Sequence, residues 1–287
     1  MVNARAFLVL GRVSNLSTVW SNGLCAWVLG GTGQGSVFTA LLFGSSLMYV
    51  GGMYLNDYCD VKFDKEFRPE RPIPSGQVSQ RAVLLLTLGL LGSGYALVAW
   101  INLQVALLGA LLLALIVTYN LVHKKTVLGV PLMAGCRTAL YLVVGAASIG
   151  GLNMEIIWAS VLMFFYVVGI TSLARTESTD GSLSQVGLLG VLTPLIGILV
   201  FGAMNSLWLG TLVGLLIVGG WFFFAFSKAK VAGHLIVGKT IGPLLAGICL
   251  VDWAILSVMR QFSLVTGATL MAFFVIAIIA QRRIPAT

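Results

Sequence analysis

Residues 36–55 read SVFTALLFGSSLMYVGGMYL, and residues 56–64, which follow without a break, read NDYCDVKFD. The first run has the length of a membrane crossing, since about 20 apolar residues in a helix span the ~30 Å hydrocarbon core of a bilayer. The second run puts three carboxylates and one side-chain amide within nine residues, in a chain otherwise nearly free of charge. Continued as helix at ~100° per residue, Asn56, Asp57, Asp60 and Asp64 fall within an arc of about 100°. One face of one helix end therefore carries three anionic oxygen donors and a neutral one. Hard cations such as Mg²⁺ prefer such ligands, with water and substrate phosphates completing the shell. The plain alternative is a solvated loop between two membrane helices. The regular spacing, and the RPIPSG turn that follows over 71–76, speak against it.

Outward from this stretch, the chain is 59% hydrophobic and 9% charged. That balance excludes a soluble domain and fits a polytopic all-α membrane protein, a single transmembrane domain over 1–287. Apolar runs place spans at 16–33, 36–55, 81–100, 103–121, 131–149, 155–173, 186–204, 206–226, 241–259 and 263–281. The first is expected to be retained as a span, because no small-residue cleavage pattern accompanies it. Cys25, Cys59, Cys136 and Cys249 have neither metal nor disulfide spacing and read as inert packing residues.

Short turns (30–35, Asn102, Gly150-Gly151, Asn205) fall on one side of this array. Longer polar loops (56–80, 122–130, 174–185 and 227–240) fall on the other. Every Lys and Arg except Arg260 belongs to the termini or to the side with longer loops. Positive loops stay cytoplasmic, so both termini and every loop with chemistry are expected on the cytoplasmic face of the cell membrane. The net charge of +8 then reflects topology and not a nucleic-acid partner.

NDxxDxxxD over 56–64 with RPxPSG behind it resembles the first Asp-rich motif of the UbiA superfamily of intramembrane prenyltransferases. The resemblance implies a UbiA-like bundle of about nine transmembrane helices, so that either 263–281 is an added C-terminal helix or one of the ten spans is not a full crossing. It implies Mg²⁺ held by Asn56, Asp57, Asp60 and Asp64, with Asp57, Asp60 and Asp64 as the catalytic carboxylates. The Mg²⁺ would bridge the diphosphate of a polyisoprenyl donor, whose prenyl group passes to a small acceptor within the membrane. Metal ions suit that step because cleavage of an allylic C–O bond leaves extra charge on the diphosphate.

The family's second acidic motif, often DxxxD, is altered here. In SLARTESTDG over 172–181, Thr176 stands where the first Asp should be. Asp180 aligns with the second Asp, and Glu177 is the replacement metal ligand, at i and i+3 with Asp180 and on one face with it if the helix extends that far; a degenerate loop that pairs Arg175 with Glu177 is the alternative. The altered motif also keeps open a reading from another class, a non-catalytic prenyl-lipid binding or transport protein derived from this family.

Further candidates are polar residues within or beside apolar runs. Lys124 and Lys125, at the end of the fourth long helix, can neutralise a diphosphate as point charges; positive-inside flanking explains them equally well. Arg71 and Arg137 are assigned to the same diphosphate. Arg137 lies a turn or so inside a helix, where an Arg faces a polar cavity or snorkels. Arg12, Asn22, Tyr119 and Asn120 are assigned to the acceptor; helix–helix hydrogen bonding is the alternative for Asn22. Asp252, deep in the run 241–259, is an intramembrane carboxylate, read as paired, protonated or near the outer leaflet and not as part of the family's chemistry. The aromatic run 221–224 reads as lipid-facing.

Overall fold

The structure, a computed structural model, describes residues 4–124, 126–177, 184–231, 234–259 and 261–285. Lys125, Asp180 and Arg260 lie outside the described residues, as does the side chain of Glu177. Eleven α-helices follow one another: α1 (Ala4–Leu10), α2 (Leu16–Leu29), α3 (Gly35–Phe67), α4 (Gln80–Ala99), α5 (Leu103–Val122), α6 (Gly129–Ala146), α7 (Met154–Glu177), α8 (Gln185–Asn205), α9 (Trp208–Ala229), α10 (Gly238–Val258) and α11 (Leu264–Gln281). A 3₁₀ turn, Val13–Asn15, joins α1 to α2, and two two-residue strands, Lys230–Val231 and His234–Leu235, pair between α9 and α10.

Local chemistry sets the helix ends. Ser79, Asn102 and Ser184 each accept a backbone N–H at the start of α4, α5 and α8, and Ser263 forms a capping box with Thr266 on α11. Among the described residues, nine helices, α3 to α11, are long and apolar enough to cross a membrane. Leu264–Gln281 is itself one of these nine, so the count of about nine is reached with 263–281 included and without the run 16–33.

The first expected span is corrected. The helix within 16–33 stops at Leu29, because Gly31 at φ 80° and Thr32 at φ 63° turn the chain. Fourteen residues rise only ~21 Å, short of a crossing. In compensation α2 is almost wholly buried, packed against α10, α6, α11 and α3. The apolar content of that run reflects protein packing more than lipid contact. The aromatic run is also mixed: Phe223 is exposed, whereas Phe222 is buried and stacks on Tyr166, and Trp221 donates to the Pro243 carbonyl.

Small residues let the helices touch. A Cβ built on Gly94 of α4 would lie 2.7 Å from the Gly44 carbonyl oxygen of α3, and one on Gly169 of α7 would lie 2.4 Å from the Val191 nitrogen of α8. Both crossings bring backbone against backbone, which only glycine allows. The helix α3 runs 33 residues without interruption, ~50 Å at 1.5 Å per residue, so its last turns project beyond a membrane core. The acidic stretch is thus the end of a rod, not a loop. Gln281 at the end of α11 donates to Asn15 Oδ1 at 3.3 Å, which puts both ends of the described chain beside the acidic end of α3.

Candidate functional site

Asn56, Asp57, Asp60 and Asp64 are all buried, while Lys62, Phe63, Lys65 and Glu66 between and beyond them are exposed. The single inward face expected from the spacing is present. The carboxylates nevertheless divide into two groups, each balanced by bases from distant parts of the chain.

On one side, Arg71 Nη1 lies 3.0 Å from Asp57 Oδ1 and 3.2 Å from Asp64 Oδ2. The RPIPSG turn aims it there: Ser75 N–H returns to the Arg71 carbonyl at 3.0 Å, Val78 N–H to that of Pro72 at 3.1 Å, and Gly76 takes φ 76°. Arg12, itself left-handed at φ 41°, adds Nη2 at 3.1 Å from Asn56 Oδ1 and 3.4 Å from Asp57 Oδ1. On the other side, Asp60 Oδ2 faces Lys124 Nζ at 3.0 Å and His123 Nε2 at 3.4 Å. Tyr119 stacks on His123, with ring centroids 4.8 Å apart. Arg175, near the end of α7, donates to the Thr126 carbonyl at 2.8 Å. That bond holds the end of α7, where Glu177 stands, next to the segment that presents His123 and Lys124.

No three His, Cys, Asp or Glu side chains among the described residues converge tightly enough to hold a metal ion. Arg71 stands between Asp57 and Asp64, whereas Asp60 faces Lys124 and His123. The donor chemistry still suits Mg²⁺, which takes only one or two carboxylates together with water and phosphate oxygens. Asp64 Oδ1 is moreover buried without a hydrogen-bond partner, and a buried carboxylate oxygen left so calls for a cation or donor.

One cavity borders the acidic face and a second lies further back along α3. The first, polar and ≈ 390 Å³, is lined by Arg5, Arg12, Asp57, Glu70, Arg71 and Gln77. The other, ≈ 90 Å³ and mainly apolar, lies between α2, α3, α5 and α6, with Ser45, Tyr49, Tyr119, Asn120 and Arg137 on its wall. Tyr119, Asn120 and Arg137 thus share one space, as acceptor and cavity roles require. Asn22 does not line it. Its side chain is buried between Arg137 and Asp252: Arg137 Nη1 donates to Asn22 Oδ1 at 2.9 Å, and Asn22 Nδ2 donates to Asp252 Oδ2 at 2.9 Å. The sequence reading singled out neither His123 as a partner of Asp60 nor Arg175 as an anchor. The position of His123 beside Lys124, at the end of an apolar helix, was the one available signal for the former.

Fold and site together define a polytopic helical membrane protein whose acidic helix end meets four basic side chains above an apolar cavity. The UbiA prenyltransferase family model matches residues 15–181, more than half of the chain, and the chain belongs to that family. It is 29% identical to digeranylgeranylglyceryl phosphate synthase of Methanopyrus kandleri over 179 residues, 62% of this chain and 65% of that protein. To the synthase of the same name from Metallosphaera sedula it is 37% identical over 124 residues, 42% and 43% of the two chains. The matched part is thus less than two thirds of either relative. Among solved structures, the fold resembles a UbiA homologue from Archaeoglobus fulgidus bound to GPP and Mg²⁺ (TM-score 0.63, 12% identity, 89% of this chain and 99% of that one). It also resembles a digeranylgeranylglyceryl phosphate synthase structure (TM-score 0.56, 19% identity, 97% and 99%).

Proposed function

We propose that the protein is a Mg²⁺-dependent intramembrane prenyltransferase that moves a prenyl group from a polyisoprenyl diphosphate to a small acceptor. The observation that carries this is the buried face of Asp57, Asp60 and Asp64, set among Arg71, Arg12, His123 and Lys124, with an apolar cavity walled by Gly52 and Met53 on the preceding turn of the same helix. Mg²⁺ held by Asn56 and these carboxylates, with Glu177 and, three residues on in sequence, Asp180, would neutralise the charge that builds on the departing diphosphate.

Each residue has a task in this scheme. Lys124 and Arg71, with Lys125 beside them in sequence, pair with diphosphate oxygens and hold C1 of the donor toward the cavity. The apolar wall keeps water from the allylic cation formed when the C1–O bond breaks. Tyr119 and Asn120 orient the acceptor, whose nucleophile takes C1 and gives up its proton, and Arg12 borders the acceptor's way in. The names of the similar synthases favour a glyceryl-type oxygen nucleophile. The active face lies on the cytoplasmic side by the charge asymmetry.

The alternative, prenyl-lipid binding or transport without catalysis, is favoured by Thr176 in place of a family Asp. One experiment separates the two. Detergent-purified protein is incubated with labelled geranylgeranyl diphosphate, acceptor lipid and MgCl₂. Release of diphosphate that EDTA abolishes supports transfer. Tight binding of the donor without release supports the alternative.

A further inference from the structure

The apolar cavity carries more hydrogen-bonding capacity than a prenyl chain can use. Arg137 has five N–H donors, and its hydrogen bonds are to Asn22 Oδ1 and Thr18 Oγ1, each at 2.9 Å. Three N–H groups of this guanidinium therefore have no protein acceptor among the described residues. Ser45 Oγ and Asn120 Oδ1 belong to residues on the same wall and are buried without a partner. A buried donor or acceptor left unmatched is costly, so this wall is built to meet oxygen. The space, ≈ 90 Å³, holds about three waters' share of volume. It has room for a small headgroup.

The charge of that headgroup follows from Asp252. Its carboxylate is fully buried and receives the hydroxyls of Tyr141 and Ser21 and, at 2.9 Å, the amide of Asn22. Three donors on two oxygens is the pattern of an ionised carboxylate, which only accepts. The chain Asp252–Asn22–Arg137 is thus a buried ion pair bridged by one amide, already neutral as a unit. A phosphate or diphosphate would add uncompensated charge there, whereas a hydroxyl or ether oxygen would not.

We propose that this cavity is a subsite for the uncharged, hydroxyl- or ether-bearing headgroup of the acceptor, recognised by Arg137, Asn120 and Ser45. Asp252 is its positioning residue, holding Arg137 through Asn22 and cancelling its charge. The proposal rests on the prenyl-transfer reading in taking the occupant to be the acceptor, and it assigns Arg137 away from the donor diphosphate.

The test uses three sixteen-carbon probes on the full-length protein, without Mg²⁺ or donor: 1-O-hexadecylglycerol, hexadecyl phosphate and hexadecane, each bound and quantified by native mass spectrometry. Wild type should prefer the glycerol ether over the alkane, and Arg137→Met should cut that preference ~10-fold, the scale of a lost hydrogen bond to a charged donor. In Asp252→Asn the uncompensated guanidinium should shift preference toward hexadecyl phosphate; a merely structural carboxylate would leave the ether-to-phosphate ratio unmoved. If Asp252→Asn does not fold, the neutral double variant Arg137→Met/Asp252→Asn, which buries no lone charge, should still lose the preference for the ether over the alkane. An unchanged ratio in these variants, or a wild type that prefers the phosphate, overturns the subsite. Diphosphate release from geranylgeranyl diphosphate, measured on the same preparation, reports separately on transfer, so loss of either reading is visible without the other.

Discussion

Lys124 Nζ stands 3.0 Å from Asp60 Oδ2. The pair joins the loop after α5 to the acidic end of α3, and the ammonium also lies 3.6 Å above the ring of Phe63. With Lys124 about a third exposed, the ion pair adds little to stability. Lys124→Ala should therefore leave thermal unfolding in detergent unchanged while weakening Mg²⁺-dependent binding of a thiolated geranylgeranyl diphosphate about tenfold. Asp60→Ala should abolish that binding altogether in protein that remains folded. Wild-type turnover in Asp60→Ala would remove this face from the metal site.

Arg71 should behave differently, because it bridges two buried carboxylates two helical turns apart. Arg71→Gln leaves Asp57 and Asp64 facing one another with only Arg12 nearby, a loss on the order of 2–3 kcal/mol for a largely buried ionic contact. The apparent Tm should fall by several degrees, and MgCl₂ should restore more of it in the variant than it adds to wild type, since a cation can occupy the vacated charge position. Equal Mg²⁺ shifts in the two proteins would argue that the metal does not bind between these carboxylates.

The second acidic pair is Glu177 and Asp180. Arg175, two residues before Glu177, donates to the Thr126 carbonyl. Glu177→Gln and Asp180→Asn should each weaken Mg²⁺-dependent affinity for the thiolated diphosphate, and Thr176→Asp should preserve or strengthen it. Silence in all three variants would leave the α3 carboxylates to hold the metal alone and would favour the binding-protein reading.

Sidedness has a direct assay. With Ser75 replaced by Cys in a background lacking the four native cysteines, an impermeant maleimide should label the protein in inverted membranes and not in intact cells. Labelling from outside intact cells would reverse the topology drawn from Lys and Arg.

How much of this could be seen in the sequence varied with the range of the interactions. The inward face of Asn56, Asp57, Asp60 and Asp64 was legible because helical periodicity is local and survives from sequence to structure. The division of those carboxylates was not. Asp57 is claimed by Arg12 and Arg71, and Asp60 by Lys124, and nothing local decides which base reaches which acid. Asp252 announced itself as an intramembrane charge, yet its partners Tyr141, Asn22 and Ser21 come from α6 and α2 and are set by tertiary packing. The end of α2 was missed for the opposite reason. Apolar content through Val28 and Leu29 reads as a crossing, but Gly31 and Thr32 turn the backbone, and hydropathy does not register backbone angles.

The unbroken α3 has a mechanical consequence. The backbone of α3 lies against that of another helix where Gly44 meets Gly94, and Asp60 lies sixteen residues further along the same rod, a lever arm of ~24 Å. A rotation of about 5° about that fulcrum swings the carboxylates by ~2 Å, the scale of a whole metal–oxygen bond. Transmembrane helices tilt to match the thickness of the bilayer around them. The host lipid thereby enters the geometry of the acidic face, and purified protein should respond to acyl-chain length as well as to substrate.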